Sequence, residues 1–433
     1  MSLSADVVVI GAGVIGSSIA LELARSGRRV VVVDKAGGIG HGSTSASSAI
    51  VRFNYSTWSG VAMAWESLHG WRSWAEHLGH DDPAGLARFE QTGMAVLGAG
   101  DATYDATTAL FDRAGVPWER WDGAELARHL PHLDPGSYGP PKPVDSEEFF
   151  ADAHGHVSGL FTADAGYVTD PQLAAHNLGT AAQAHGARYL LHRLVTAVSR
   201  AGDDWRITLE SGDTLEAPVV VNAAGPWSAR INEMAGTGHD FGVATRPLRQ
   251  EVHHVVAPPG FNAGGPGVAV ADLDLGTYAR AAEGDALLVG GTEPACDPLH
   301  WLDDPDAAGD HPTVAVFTAQ LTRAARRMPD LAVPTRPRGI VGVYDVASDW
   351  TPIYDRTAEP GFYVAMGTSG NQFKNAPVVG RLMRELVEAV ESGHDHDTDP
   401  VVVTGAHTGH PIDLGTFSRL REVPTDAPSS VMG

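Results

Sequence analysis

The chain is 433 residues long, more than one hydrophobic core ordinarily serves, so two domains sharing an interface are expected. Asp and Glu number 53 against 30 Lys and Arg, and a formal charge of −23 argues against nucleic acid or an anionic membrane as the main partner. One cysteine, Cys296, excludes an internal disulfide and a cysteine-rich metal site, and with no signal-like start or membrane-length apolar run a cytoplasmic protein without membrane insertion is expected.

Residues 6–10, Asp-Val-Val-Val-Ile, run apolar without alternation after the aspartate, the pattern of a parallel strand buried on both faces. Gly11-Ala-Gly13-Val14-Ile15-Gly16 then turns into a helix that carries Ile19, Leu21, Leu23 and Ala24 to about Ser26, where Gly27 caps it. Residues 29–33 form a second apolar strand closed by Asp34, completing one βαβ unit. Val61, Trp65, Leu68, Ala75 and Leu78 recur at helical spacing and predict one long amphipathic helix over 58–78. Residues 80–155 are rich in Pro, Gly and Asp without strong periodicity and are expected to connect into a second domain.

A helix over about 171–185 precedes alternating segments at 189–198 and 205–209. The strand expected at 218–222 runs into Ala223-Ala224-Gly225-Pro226-Trp227-Ser228, and strand-like runs at 252–256, 268–270 and 287–290 suggest a mainly antiparallel sheet. A last strand at 362–366 meets Gly367-Thr-Ser-Gly370-Asn371-Gln372-Phe373-Lys374, followed by a helix with Val379, Leu382, Met383, Leu386, Val387 and Val390 on one face. His394-Asp-His396-Asp reads as a solvated surface turn, and no metal is expected.

Gly11, Gly13 and Gly16 have the spacing that lets a strand turn tightly, lets backbone approach a pyrophosphate, and packs helix on strand. Asp34 is placed to accept hydrogen bonds from an adenosine ribose, with Lys35 beside it. These features suit either a nicotinamide or a flavin dinucleotide. The small turn containing Gly42, Ser43, Thr44, Ser45, Ala46, Ser47 and Ser48 can bring amides and hydroxyls to a second part of a long cofactor.

Those motifs, with Ile50-Val51-Arg52-Phe53-Asn54-Tyr55, Val221-Asn-Ala-Ala-Gly225-Pro-Trp-Ser228 and the 367–374 segment, together resemble the FAD-dependent amine and amino-acid oxidase superfamily of the D-amino-acid oxidase type. The nearest branch is similar to sarcosine oxidase and dimethylglycine oxidase or dehydrogenase, and the similarity runs from Asp6 to about Arg421. The resemblance implies a mixed α/β and α+β fold: a Rossmann-type FAD-binding domain with a parallel central sheet at 1–80, 156–237 and 338–421, and a substrate domain on a mainly antiparallel sheet at 81–155 and 238–337, leaving a tail at 422–433. It further implies that FAD lies extended, with Val14 and Ile15 at its pyrophosphate, Val195 at its adenine, and Ala224, Gly225, Trp227 and Gly342 along its length. The segment Gly370, Asn371, Gln372, Phe373 and Lys374 would place a helix N-terminus beside the flavin and favour its reduced, negatively charged form.

By the same resemblance Arg52 and Lys374 surround a substrate carboxylate, although Gln372 stands where relatives carry glycine, and Tyr278 orients the amine. The implied reaction moves a hydride equivalent from a small carboxylated amine to flavin N5 and leaves an imine that water hydrolyses, with oxygen or another acceptor taking the electrons. Relatives attach flavin to a histidine or a cysteine; here Ala46 fills the histidine slot and Cys296 does not align, so non-covalent FAD is expected. The middle of the chain holds no lysine between Lys142 and Lys374, leaving Arg249, His253, His254 or Arg280 as cations near the flavin. Two alternatives stay open: a flavin dehydrogenase of a 2-hydroxy acid or polyol phosphate, with His253 or His254 as base, and a non-catalytic redox sensor.

Overall fold

The computed structural model describes residues 2–423 and Val431; of the tail expected at 422–433, residues 424–430, 432 and 433 lie outside the described residues. A six-stranded sheet has the order Arg188–Leu190, Val30–Val33, Val7–Ile10, Val219–Asn222, Phe362–Met366, Ile353–Arg356, parallel except for the last edge strand. Its central strands are apolar on both faces because both are covered. Val7 and Val9 pack beneath the helices Val14–Arg25, Pro171–Ala184 and Ala376–Glu391, while Val8 and Ile10 face a four-stranded sheet that includes Val195–Ala201 and Asp204–Leu209. Two of these helices touch closely: a Cβ on Gly380 would lie 2.2 Å from the Ser18 carbonyl oxygen, and Ser18 Oγ instead donates to Ala376 O and accepts from the Gly380 N–H.

The larger sheet has eight strands, in the order Gly339–Ala347, Thr245–Val256, Ala286–Gly291, Thr277–Ala282, Ala269–Asp272, Met94–Leu97, Gly159–Thr162, Glu119–Trp121. Only the contact between Ala269–Asp272 and Met94–Leu97 is parallel. Gly159–Thr162 and Gly339–Ala347 belong to this sheet, so it draws in residues that the expected division gave to the FAD-binding part.

Several elements differ from the sequence expectation. The helix over 58–78 breaks at Ser73 into Trp58–Arg72 and Trp74–Leu78. The segment 189–198 divides between two sheets, with Arg188–Leu190 in the parallel one and Val195–Ala201 in the four-stranded one. Residues 80–155 contain the helix Asp101–Ala114, which buries only Tyr104, Thr108, Phe111 and Ala114, a stripe too narrow and too polar to stand out. His396 is buried rather than solvated: its Nδ1 accepts the Val401 N–H and its Nε2 lies 3.3 Å from Asp355, beside Arg419 and Asp397. Among the described residues no cluster of three metal-ligating side chains occurs, and no helix is long and apolar enough to cross a membrane.

Candidate active site

Between the carboxyl ends of the parallel strands and the eight-stranded sheet lies a cavity of about 600 Å³. Crevices at strand ends of this kind are where open α/β sheets bind ligands, because helix N-termini and loops converge there.

At one end the wall is mostly backbone. Gly11 has φ of 112°, and a Cβ there would lie 2.2 Å from the Ala223 carbonyl oxygen, so only glycine makes this turn. Gly13, Val14 and Ile15 line the cavity. The Val14 N–H is met by Thr44 Oγ1 at 3.1 Å. Gly16 does not line it: a Cβ there would be 2.0 Å from Gly11 O, which is the helix-packing use of the third glycine. Asp34 accepts from the N–H groups of Ala12 and Ala36, each at 2.7 Å, which fixes a carboxylate at the cavity wall with lone pairs left for ligand hydroxyls. Lys35, Val195, Ala224, Gly225 and Trp227 complete this end, Lys35 sitting 3.8 Å above the Trp227 ring.

Gly42, Ser43, Thr44, Ser47 and Ser48 line the middle, but their hydroxyls largely hold the scaffold together. Ser43 Oγ donates to Val343 O at 2.6 Å, and Ser48 Oγ pairs with Tyr278 Oη at 2.6 Å. Ser45 departs from the expectation. It is exposed, its Oγ donates to Gly42 O at 3.0 Å, and the turn aims it at solvent. Gly342 also lines the cavity, where a Cβ would lie 2.9 Å from that of Ala46.

Side chains make the far end. Arg52 (4% exposed) and Lys374 (3% exposed) are both buried at the cavity wall. Lys374 Nζ donates to Asn371 O at 2.5 Å and to Tyr55 Oη at 3.1 Å. Arg52 donates to Asn54 O and to Val431 O, each at 2.5 Å. Burial, and then the Arg52 charge, hold the Lys374 ammonium well below its ordinary range, and burial lowers Arg52 as well. An anion placed between these two groups would favour the charged form of each. Tyr278 lies across Gly290 and Tyr344 across Gly370, each glycine allowing a ring where a Cβ would sit 2.4 Å from it. Gly370, Asn371, Gln372 and Phe373 line the cavity ahead of the short turn Phe373–Asn375 and the helix Ala376–Glu391.

Sequence reasoning missed Tyr55, Gln250, Glu293, Tyr344 and Val431. Tyr55 lay inside a quoted motif and joins Lys374, Gln372 and Asn375 through its hydroxyl. Gln250 and Tyr344 reach the cavity through strand pairing, which no local spacing announces, and Glu293, just past a strand end, is joined to it by Gln250.

Residues 6–386 match the family described as FAD dependent oxidoreductase. The chain belongs to the FAD-dependent oxidoreductases. It is 26% identical over 400 residues to glycine oxidase of Geobacillus kaustophilus (strain HTA426), covering 90% of this chain and 94% of that protein. It is 28% identical over 207 residues to mitochondrial sarcosine dehydrogenase of Homo sapiens, covering 46% of this chain and 22% of that one. The L-proline dehydrogenase structure from P. horikoshii superposes with a TM-score of 0.74 at 21% identity, covering 97% of this chain and 98% of the other, which shows a shared fold.

The residues of this oxidoreductase fit FAD. Asp34 stands at the strand end that meets a ribose, the Gly11 and Gly13 backbone leaves room for a pyrophosphate, and Trp227 Nε1 is a buried donor at the wall with no partner among the described residues. Ala46 lines the cavity; Cys296 does not, and accepts from Arg323 Nη2 at 3.2 Å instead. Of the cations expected near the flavin, Arg249 and His253 lie on the face of Thr245–Val256 opposite Gln250 and Val252, which line the cavity, since strand side chains alternate. Arg249 pairs with Glu251, and His253 packs edge-on to Phe317. Arg280 donates to Ser48 O at 2.7 Å and covers the Tyr167 ring, and neither it nor His254 lines the cavity.

Proposed function

We propose that this oxidoreductase, holding FAD non-covalently, oxidises the C–N bond of a small carboxylated amine, an N-methyl or other amino acid. The observation that carries the reading is the pair of buried cations, Arg52 and Lys374, at the end of the cavity away from Asp34. Bound FAD supplies the two-electron acceptor. Arg52 offers a planar fork that matches a carboxylate, and Lys374, held by Asn371 and Tyr55, adds a second N–H donor whose charged form the bound carboxylate favours. Tyr278, which lines the cavity with its hydroxyl tied to Ser48, would orient the amine. The Arg52 and Lys374 side chains are both buried, which strengthens their electrostatic grip on a bound anion.

The similarity to glycine oxidase along nearly the whole chain supports an amine as substrate. A hydroxy-acid reading drew on His253 or His254 as base, and neither lines the cavity. Anaerobic addition of sarcosine, dimethylglycine, proline and D-amino acids to the yellow protein tests the proposal, with bleaching by at least one of them as the expected result. Bleaching by 2-hydroxy acids or polyol phosphates alone would overturn it.

A further inference from the structure

Glu293 follows the strand Ala286–Gly291 with φ of 53°, a left-handed conformation that a non-glycine residue keeps only where its surroundings hold it. One carboxylate oxygen accepts from Gln250 Nε2 at 3.0 Å, and the other accepts the backbone N–H of Val431 at 3.0 Å. The carbonyl of the same Val431 accepts from Arg52 Nη2. One amino-acid residue is thus gripped at both ends, its nitrogen by a carboxylate and its carbonyl oxygen by a guanidinium. The Val431 N–H stands in for the amine of a small ligand and its C=O for one carboxylate oxygen, since N–Cα–C=O is the same bonded path in both. Val431 is buried, lines the cavity and packs with Leu248, Val346 and Trp350.

Resting on the carboxylate reading of Arg52, we propose that Glu293 binds the ammonium group of the substrate at the place Val431 marks and takes its proton. The ammonium N–H bond breaks, an O–H bond forms on Glu293, and nitrogen keeps the electron pair that a neutral amine needs before its α-carbon is oxidised. The groups facing this carboxyl are Arg52, Gln250, Tyr278 and Tyr344. Burial pushes it up to about 7, against the lowering pull of the Val431 N–H, Gln250 and Arg52. An acid with that affinity accepts a proton near neutrality.

Two acids that lack an α-hydrogen and differ only in ammonium against methyl, 2-aminoisobutyrate and pivalate, report binding without turnover. Their dissociation constants for the oxidised, FAD-loaded protein are read from the perturbed flavin spectrum or by calorimetry. The parent should prefer 2-aminoisobutyrate by about tenfold or more at about pH 8, and Glu293→Gln should bring the two within about threefold while leaving pivalate unchanged. In the parent alone, the preference should grow as pH rises through about 7, where Glu293 ionises. A variant that keeps the parent's preference, or loses both acids equally while still holding FAD, overturns the proposal, as does a preference flat across that pH range. Pivalate binding that ignores Arg52→Leu breaks the carboxylate reading instead, a failure visible without any change at Glu293.

Discussion

Where the cavity meets the parallel sheet its wall is backbone, drawn largely from one stretch of chain: Gly11, Gly13, Val14 and Asp34, with Ala224 and Gly225 from the neighbouring strand end. Where it meets the eight-stranded sheet its wall is side chains gathered from the length of the chain: Arg52, Tyr278, Tyr344 and Lys374. The first end takes most of its shape from backbone and is closed to a side chain at Gly11, where a Cβ would meet Ala223 O at 2.2 Å. The second depends on charge and hydroxyl placement, with Gly290 and Gly370 leaving room for the Tyr278 and Tyr344 rings. Damage at the first end should therefore remove cofactor and fold together, and damage at the second should remove substrate and leave the colour.

The largest effect is expected at Gly11. Gly11→Val sets a Cβ on the Ala223 carbonyl in a backbone region closed to branched side chains, and should cost about 4 kcal/mol or more, giving colourless, poorly folded protein in denaturation and flavin-content assays. Yellow, stable G11V protein would erase the contrast. Next, Arg52→Leu or Lys374→Met should lower kcat/KM by about a hundredfold or more while flavin content stays near one per chain, because each leaves the partner cation and the substrate carboxylate poorly paired. Asp34→Ala should weaken FAD binding by about tenfold to a hundredfold, measured by flavin release on dilution, with little change in substrate affinity.

The parallel βαβ unit was legible because its signals are local: uniform apolar strands, glycines at fixed offsets and one acid at a strand end. The strand Phe362–Met366 was visible for the same reason. The far end was legible only through resemblance, which supplied Arg52 and Lys374, while Glu293, Gln250 and Tyr344 depend on the pairing of Thr245–Val256 with Ala286–Gly291 and Gly339–Ala347. Period-two alternation, applied to the long strand once its register is known, separates cavity-facing Gln250 and Val252 from Arg249 and His253. Before pairing is known, either set serves equally well, which is why those cations were misdirected.

The smallest effect sharpens the comparison from outside the cavity. Asp345, next to Tyr344 on the same strand, accepts the Gly367 N–H at 2.6 Å, and burial pushes its carboxyl up to about 7. Because an unfolded aspartate titrates near about 4, the folded chain holds the extra proton between those values, so this group makes stability fall as pH rises from about 4 to about 7 and then level off. Asp345→Asn should therefore melt about 2–5 °C above the parent at about pH 8 and no higher at about pH 4, by calorimetry. A gain that is equal at both pH values would mean that the aspartate is charged in the folded protein throughout.

The most direct test of a cavity with cofactor at one end and a carboxylate grip at the other is an anaerobic titration of the Arg52→Leu, Lys374→Met double variant beside the parent. The parent should bleach with a carboxylated amine, and the double variant should stay yellow, bind FAD as the parent does, and fail to bleach. Equal bleaching of both proteins by the same amine would contradict the account.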